Sequence, residues 1–265
     1  MLKVEHVSKT FNPGTITERK ALRDISLTLN DGDFVTVIGG NGAGKSTLLN
    51  LIAGVHFCDE GSILLDGEDI TAQPEYVRAK YLGRVFQDPM MGTCASMEIQ
   101  ENLALAYRRG KKRGLGWGIT PAEREEYKKQ LSLLELGLEN RMSAKVGLLS
   151  GGQRQALTLL MATLQKPRLL LLDEHTAALD PKTAHKVLEL TEHFVKRDHL
   201  TTFMVTHNMK NAIHYGNRLI MMLDGKIVYE ASGEEKQNLQ VSDLLQKFQT
   251  ASGNEDAVSD RMMLS

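Results

Sequence analysis

The chain has 265 residues, with 32 Lys and Arg against 33 Asp and Glu for a formal net charge of −1, and two cysteines. That length suits one large α/β domain, or a core with a small helical lobe. The balanced charge excludes a global field that would draw in nucleic acid or anionic lipid, so such contacts would have to be local.

Cys58 and Cys94 form no C-x-x-C pair and no ligand spacing with the eight histidines, which argues against a zinc site and fits a reducing cytosol. In chain order, Met1-Leu2-Lys3-Val4-Glu5 passes straight into an alternating strand pattern, so no signal peptide is expected. The longest apolar runs, 169–172 and 219–223, fall far short of the about 20 residues that cross a bilayer, and the chain is expected to be soluble by itself. Residues 2–7 and 25–29 alternate apolar with polar, and Asn12-Pro13-Gly14 marks a turn between them, which predicts an antiparallel hairpin region. Phe11 closes the first strand, where an aromatic could pack in the core or stack on a base.

Residues 34–38 are β-branched and apolar, reading as a buried strand, and residues 48–53 read as a helix stopped by Gly54. Between them lies Gly39-Gly40-Asn41-Gly42-Ala43-Gly44-Lys45-Ser46-Thr47, which fits G-x-x-x-x-G-K-[ST]. Glycines let successive backbone N–H groups converge on phosphate oxygens, and the helix N-terminus adds its positive dipole end. Lys45 places a compact charge on the outer phosphates, and the Ser46 hydroxyl can ligate Mg²⁺. This stretch predicts nucleotide binding.

Further on, residues 61–67 and 81–86 read as strands, the second running into Gln87, and residues 98–107 have helical spacing. The stretch 108–118 is basic and punctuated by glycine. It reads as a solvated connector or as a surface meeting lipid headgroups or a membrane partner with Trp117 at the interface; nucleic acid is disfavoured. Thr120, Pro121 and Glu123 mark a helix start, with the helix expected to run to about Leu136 and stop at Gly137. Leu149-Ser150-Gly151-Gly152-Gln153 opens another helix with Ser150 as N-cap, and its exposed first amides make a second anion site. The economical explanation is that this site receives the γ-phosphate held by another copy, so that ATP joins two copies head to tail.

Residues 169–172 form an all-apolar strand delivering Asp173 and Glu174 at its C-terminal end, with Asp173 suited to Mg²⁺ and Glu174 to polarising an attacking water. Strand and helix alternate to the end: 181–196, 201–206, 209–215, 218–223 with the Asp224-Gly225 turn, 226–229, and an amphipathic helix at 242–249 before a frayed tail.

Together, the phosphate loop, Gln87, the pentapeptide Leu149 to Gln153, Asp173-Glu174, Ala178-Leu179-Asp180 and His207 resemble the ATP-binding subunit of ABC transporters in order and spacing, over residues 2–248. The resemblance implies a P-loop NTPase core of α/β class with a mixed, mainly parallel sheet. An N-terminal antiparallel β subdomain and a small helical lobe at about 88–165 carrying the signature would accompany it, with 249–265 as a flexible tail. It implies ATP and Mg²⁺ as cofactors, Phe11 as the adenine-stacking aromatic, Gln87 reaching Mg²⁺ and water, Asp180 in the loop linking two active sites, and His207 on the γ-phosphate holding Glu174 and water in line. Expected partners are a second copy, integral membrane permease subunits and, indirectly, a solute-binding protein, with the chain peripheral on the cytoplasmic face of the membrane.

The chain departs from the family pattern at Phe11, where tyrosine is frequent, at Gly40, and at His175, where proline is usual after the glutamate. His175 is expected to be neutral in effect, to redirect the linking loop or to add pH sensitivity, and the remaining histidines to be surface or packing residues. The wording after the signature is similar to ATPases assigned to bacterial uptake systems for amino acids such as tryptophan or tyrosine. The expected function is ATP hydrolysis powering uptake of a small solute. The alternatives are a soluble ATPase of this type acting on nucleic acid or ribosomes, the ATPase of an exporter or extraction complex, and a non-hydrolysing nucleotide sensor.

Overall fold

The computed structural model describes residues 1–111 and 118–253; the expectations resting on Trp117 and on the tail beyond 253 lie outside these. In order, the chain forms β1 (Leu2–Phe11), β2 (Arg19–Leu29), β3 (Phe34–Gly39), α1 (Lys45–Ala53), β4 (Glu60–Leu65), β5 (Glu68–Asp69), α2 (Glu75–Arg78), β6 (Leu82–Val85), α3 (Ile99–Tyr107) and α4 (Pro121–Ser132). It continues with α5 (Gly151–Thr163), β7 (Leu169–Asp173), α6 (Pro181–Asp198), β8 (Thr202–Val205), α7 (Met209–His214), β9 (Arg218–Leu223), β10 (Lys226–Ser232), α8 (Gly233–Asn238) and α9 (Val241–Ser252). Two compact units share these elements, one of Met1–Arg78 with the chain from Thr201 onward, the other of Ala79–Leu200.

In the first unit, β2, β1, β4 and β5 form an antiparallel sheet. Leu2 sits opposite Leu29 on one side and Leu65 on the other, and Val4 opposite Leu27 and Ile63, so the period-two alternation read in the sequence places these residues in one buried layer. β3 lies between β8 and β9 and runs parallel to both, with β10 antiparallel on the outer side of β9. All six residues of β3 are buried, as its largely apolar, β-branched run demands of a central strand, and the one polar side chain, Thr36, donates to the Ala212 carbonyl at 2.8 Å. Leu244 and Phe248 of α9 pack with Ile38, Leu219 and Met221, so the amphipathic face expected at the end of the chain covers this sheet. α9 itself runs past Gln249 to Ser252, ended by Gly253 at φ 66°.

α1 ends on a buried cation. The Arg78 side chain is fully buried and donates to the carbonyls of Leu51 at 2.7 Å, Ile52 at 2.8 Å, Gln73 at 2.7 Å and Thr71 at 3.0 Å. Burial pulls its pKa down to about 10, which leaves it protonated at neutral pH.

In the second unit, β6 pairs parallel with β7, Leu82 opposite Leu169 and Val85 opposite Leu172. Thr120 caps α4 with Glu123 returning the capping box, and Ser150 with Gln153 does the same for α5. The α4 helix stops at Ser132, short of the expected Leu136, because the turn bond from Glu135 N–H to the Ser132 carbonyl, with Glu135 at φ 55°, breaks the ladder first. α8 was not legible as a helix; its polar sequence is tied down by Lys236, buried and donating to the carbonyls of Tyr215 and Gly216. Both sheets and their covering helices make the α/β class expected from the sequence.

The described part of the basic stretch is largely committed internally. Arg108 donates to both carboxylate oxygens of Glu123 at 2.8 and 3.0 Å, Arg109 donates to the Ala162 carbonyl at 3.2 Å, and the Lys111 ammonium lies 3.6 Å from the Tyr107 ring centre. No helix among the described residues is long and apolar enough to cross a membrane.

Arg78→Met should cost about 3 kcal/mol, since several buried carbonyls lose their donor at once. In urea unfolding this appears as a lower midpoint with an unchanged slope; an unaltered midpoint would contradict the role given to this cation.

Candidate functional site

The turn between β3 and α1 is built by close approach of backbone. Gly39 has φ 152°, and a Cβ there would lie 2.3 Å from the Met222 carbonyl oxygen; Gly44, at φ 101°, would meet the Ala21 carbonyl at 2.7 Å and Leu22 Cδ2 at 2.8 Å. Only glycine fits at either place. The Gly225 N–H donates to the Ala43 carbonyl at 3.0 Å, and the Arg23 N–H to the Gly225 carbonyl at 2.9 Å. The Asp224-Gly225 turn, read in the sequence only as a connection between strands, is therefore a support of the phosphate loop. Arg19 was also missed: its Nη2 donates to the Gly42 carbonyl at 3.1 Å.

The loop wraps Lys45, whose side chain is buried and whose Nζ donates to the carbonyls of Gly39 at 2.8 Å and Gly40 at 3.2 Å. Gly44, as N-cap, brings no side-chain acceptor to the first turn of α1. Helix-end amides, a compact ammonium and a path clear of Cβ atoms together fit a polyphosphate. Ser46 is exposed at the start of the helix, and Asn41 and Gly42 are exposed at the rim.

Two further predicted residues lie in this first unit. Phe11 ends β1 opposite Arg19, half-buried, with the His56 ring edge-on at 5.3 Å between centroids and the Lys9 ammonium 5.8 Å from its ring centre. His207 is exposed, two residues beyond β8, ahead of Asn208, which caps α7 by accepting from Asn211 N–H at 2.9 Å.

The second unit carries the rest. Asp173 ends β7, with an Arg84 guanidinium nitrogen 3.8 Å from its carboxylate. Glu174 follows, half-buried, with its backbone in the left-handed region at φ 44°. Gln87 is exposed just past β6. Ser150 and Gln153 are occupied in capping α5, and Gly152 has a packing reason of its own: a Cβ there would lie 2.0 Å from Thr183 Cγ2 on α6. Asp180 caps that same helix by accepting from the Thr183 N–H at 3.1 Å, and hydrogen bonding from the Thr183 side chain, then from its backbone, holds the Asp180 carboxyl below the usual range. His175 is wholly buried, and burial pushes its imidazole down to about 4, so it stays neutral at neutral pH.

The family model for ABC transporters matches residues 22–177, from β2 through the phosphate loop to just beyond Glu174. The chain belongs to the ATP-binding subunits of ABC transporters. Membership of that family makes it an ATPase. It is 46% identical over 256 residues to a tyrosine transport ATP-binding protein of Clostridioides difficile, covering 95% of this chain and 100% of that one. It is 33% identical over 235 residues to a spermidine/putrescine import ATP-binding protein of Haemophilus influenzae, covering 89% of this chain and 59% of that longer relative. Among solved structures, a dimeric ATP-binding cassette in a post-hydrolysis state with ADP and Pi superposes with a TM-score of 0.74 at 31% identity, over 88% of this chain and 98% of that one.

Gly39→Ala should destabilise the chain by about 2 kcal/mol or more and abolish nucleotide binding, because the new methyl meets backbone. Gly67→Ala, also at positive φ but with nothing within 4 Å of the added carbon, should cost only about 1 kcal/mol and leave binding intact. Thermal melts and a fluorescent-nucleotide titration on both variants check this; equal behaviour of the two would contradict it.

Proposed function

We propose that this chain is the ATP-hydrolysing subunit of a bacterial importer for a small solute, an amino acid of the tyrosine or tryptophan class. It works as an ATP-closed homodimer on separate transmembrane subunits at the cytoplasmic face of the membrane. The observation that carries the proposal is the similarity to a tyrosine transport ATP-binding protein along that relative's whole length. The amino-acid class rests on that relative, the import direction on the spermidine/putrescine relative, and the dimer on a structural neighbour that is itself dimeric. The internal pairing of Arg108 and Arg109 weighs against these two residues as part of an open lipid-binding patch.

In this reading the phosphate loop, Gly39 to Thr47, cradles the triphosphate, and Lys45 exchanges its carbonyl contacts for the outer phosphate oxygens. Phe11 stacks on adenine, and Arg19 at the rim helps hold the loop in shape. Ser150, Gly151, Gly152 and Gln153 of the second copy present the N-terminus of their α5 to the γ-phosphate, completing a site that one copy leaves open. Asp180 connects the two sites of the dimer. Glu174 takes the proton from the attacking water as general base, and His207 holds that water and the γ-phosphate in line.

Ser46, Gln87 and Asp173 offer only oxygen ligands, the donor set that Mg²⁺ prefers, and no cluster of three or more His, Cys, Asp or Glu among the described residues offers a metal cage of its own. That ion would neutralise charge on the outer phosphates. The exposed Gln87 carries the change to the membrane subunits.

Glu174→Gln should lower ATP turnover by roughly 10²–10⁴-fold while an ATP-bound dimer accumulates on size exclusion. Turnover at the wild-type rate would contradict the assignment of Glu174, and a monomer in saturating ATP would contradict the dimer.

A further inference from the structure

The residue after Glu174 is His175, one of the departures read in the sequence, and the structure shows what surrounds it. His175 lies wholly buried between β7 and α6. Its Nε2 is 3.1 Å from Thr191 Oγ1, and that hydroxyl is 2.8 Å from the Val187 carbonyl. Thr191 has one proton, and a carbonyl can only accept, so the proton goes to Val187 and the Thr191 oxygen accepts from His175 Nε2–H. The tautomer is thereby assigned.

The backbone of His175 is held by a different helix. Gln155, fully buried on α5, donates from Nε2 to the His175 carbonyl at 2.6 Å and to the Phe86 carbonyl at 3.0 Å. Both amide protons are used, and each goes to the residue adjoining a predicted catalytic group, Phe86 before Gln87 and His175 after Glu174. The remaining Gln155 Oε1 is buried with no hydrogen-bond partner. Thus α5, which is capped by Ser150, reaches both strand ends through one amide, and α6 reaches the second of them through one hydroxyl.

Glu174 needs such support. Its φ of 44° lies in the left-handed region, which a residue with a Cβ occupies only when its surroundings over-determine it. The contact from Ala177 N–H to the Glu174 carbonyl at 2.9 Å closes the turn locally. Without an anchored neighbour, however, the peptide joining Glu174 to His175 could rotate and carry the carboxylate away.

We propose that His175, clamped by Thr191 and Gln155, is a positioning residue that fixes the strained backbone of Glu174 and so aims its carboxylate at the attacking water. This rests on Glu174 being the general base. The clamp also joins the signature helix, through Gln155, to the residues beside Gln87 and Glu174.

The test is steady-state ATPase kinetics on the full chain. His175→Leu, which removes the Nε2 donor, and Gln155→Leu should each lower kcat roughly 10–100-fold with KM for ATP within about twofold, since misplacement by about 1 Å costs up to about 10²-fold in rate. His175→Gln, which restores an amide donor at similar reach, should recover kcat to within about threefold. Thr191→Val keeps the shape of the side chain, removes the acceptor, and should lower kcat about tenfold at unchanged KM; it reads the same contact should a core leucine impair folding. Wild-type kcat in Thr191→Val and Gln155→Leu, with Glu174→Gln inactive, would overturn the clamp and leave the base assignment standing. Equal losses in KM and kcat, or a His175→Gln variant no better than His175→Leu, would make the cluster merely structural. Activity in Glu174→Gln would instead remove the reading on which the clamp rests.

Discussion

An ammonium group buried in a turn and held by the carbonyls of Gly39 and Gly40 is the constraint on which the first unit depends. Lys45 is buried because the chain curls around it, and the chain can curl so tightly because β3, β9 and the turn before β10 approach without intervening side chains. An isolated buried charge would be costly. Here it is compensated by Gly39 and Gly40, acceptors that a phosphate can replace at little rearrangement. The antiparallel sheet contributes Ala21 and Leu22 to the walls of the same loop, so its close approach helps to shape the site.

In the second unit the organising device is the helix start. Thr120, Ser150 and Asp180 all satisfy orphan amides by side-chain capping, and the last two bring the signature and the Asp180 loop onto adjoining helices, with Gly152 against Thr183 at the contact. The motif residues thus carry structural work in one copy and, in the proposed dimer, anion binding toward another. Neither excludes the other, because a cap uses the side chain of Ser150 while the helix end remains a positive pole.

What could be read from the sequence was what is local. A β-branched run, a glycine turn and a helix stand within twenty consecutive positions of residues 34–53, so the phosphate loop is legible without any knowledge of the fold. Capping boxes are legible for the same reason. The floor of the loop was not, since Gly225 and Ala21 lie far from it in sequence and carry no chemistry that marks them. Arg19 was hidden in an ordinary strand start. α8 has no apolar period, because a single buried lysine rather than a hydrophobic face holds it. His175 was singled out only as a departure; its partners Gln155 and Thr191 come from two different helices, a pairing that no local pattern encodes.

In the proposed reading this loop, as folded, is a polyphosphate cradle whose charge is supplied by Lys45. Isothermal titration of ATP and Mg²⁺ into the purified chain and into Lys45→Ala tests it most directly. The account predicts a clear binding isotherm for the first and an affinity weaker by roughly 10–100-fold for the second, the worth of a charge-assisted contact to phosphate. Equal affinity in the two proteins would contradict it.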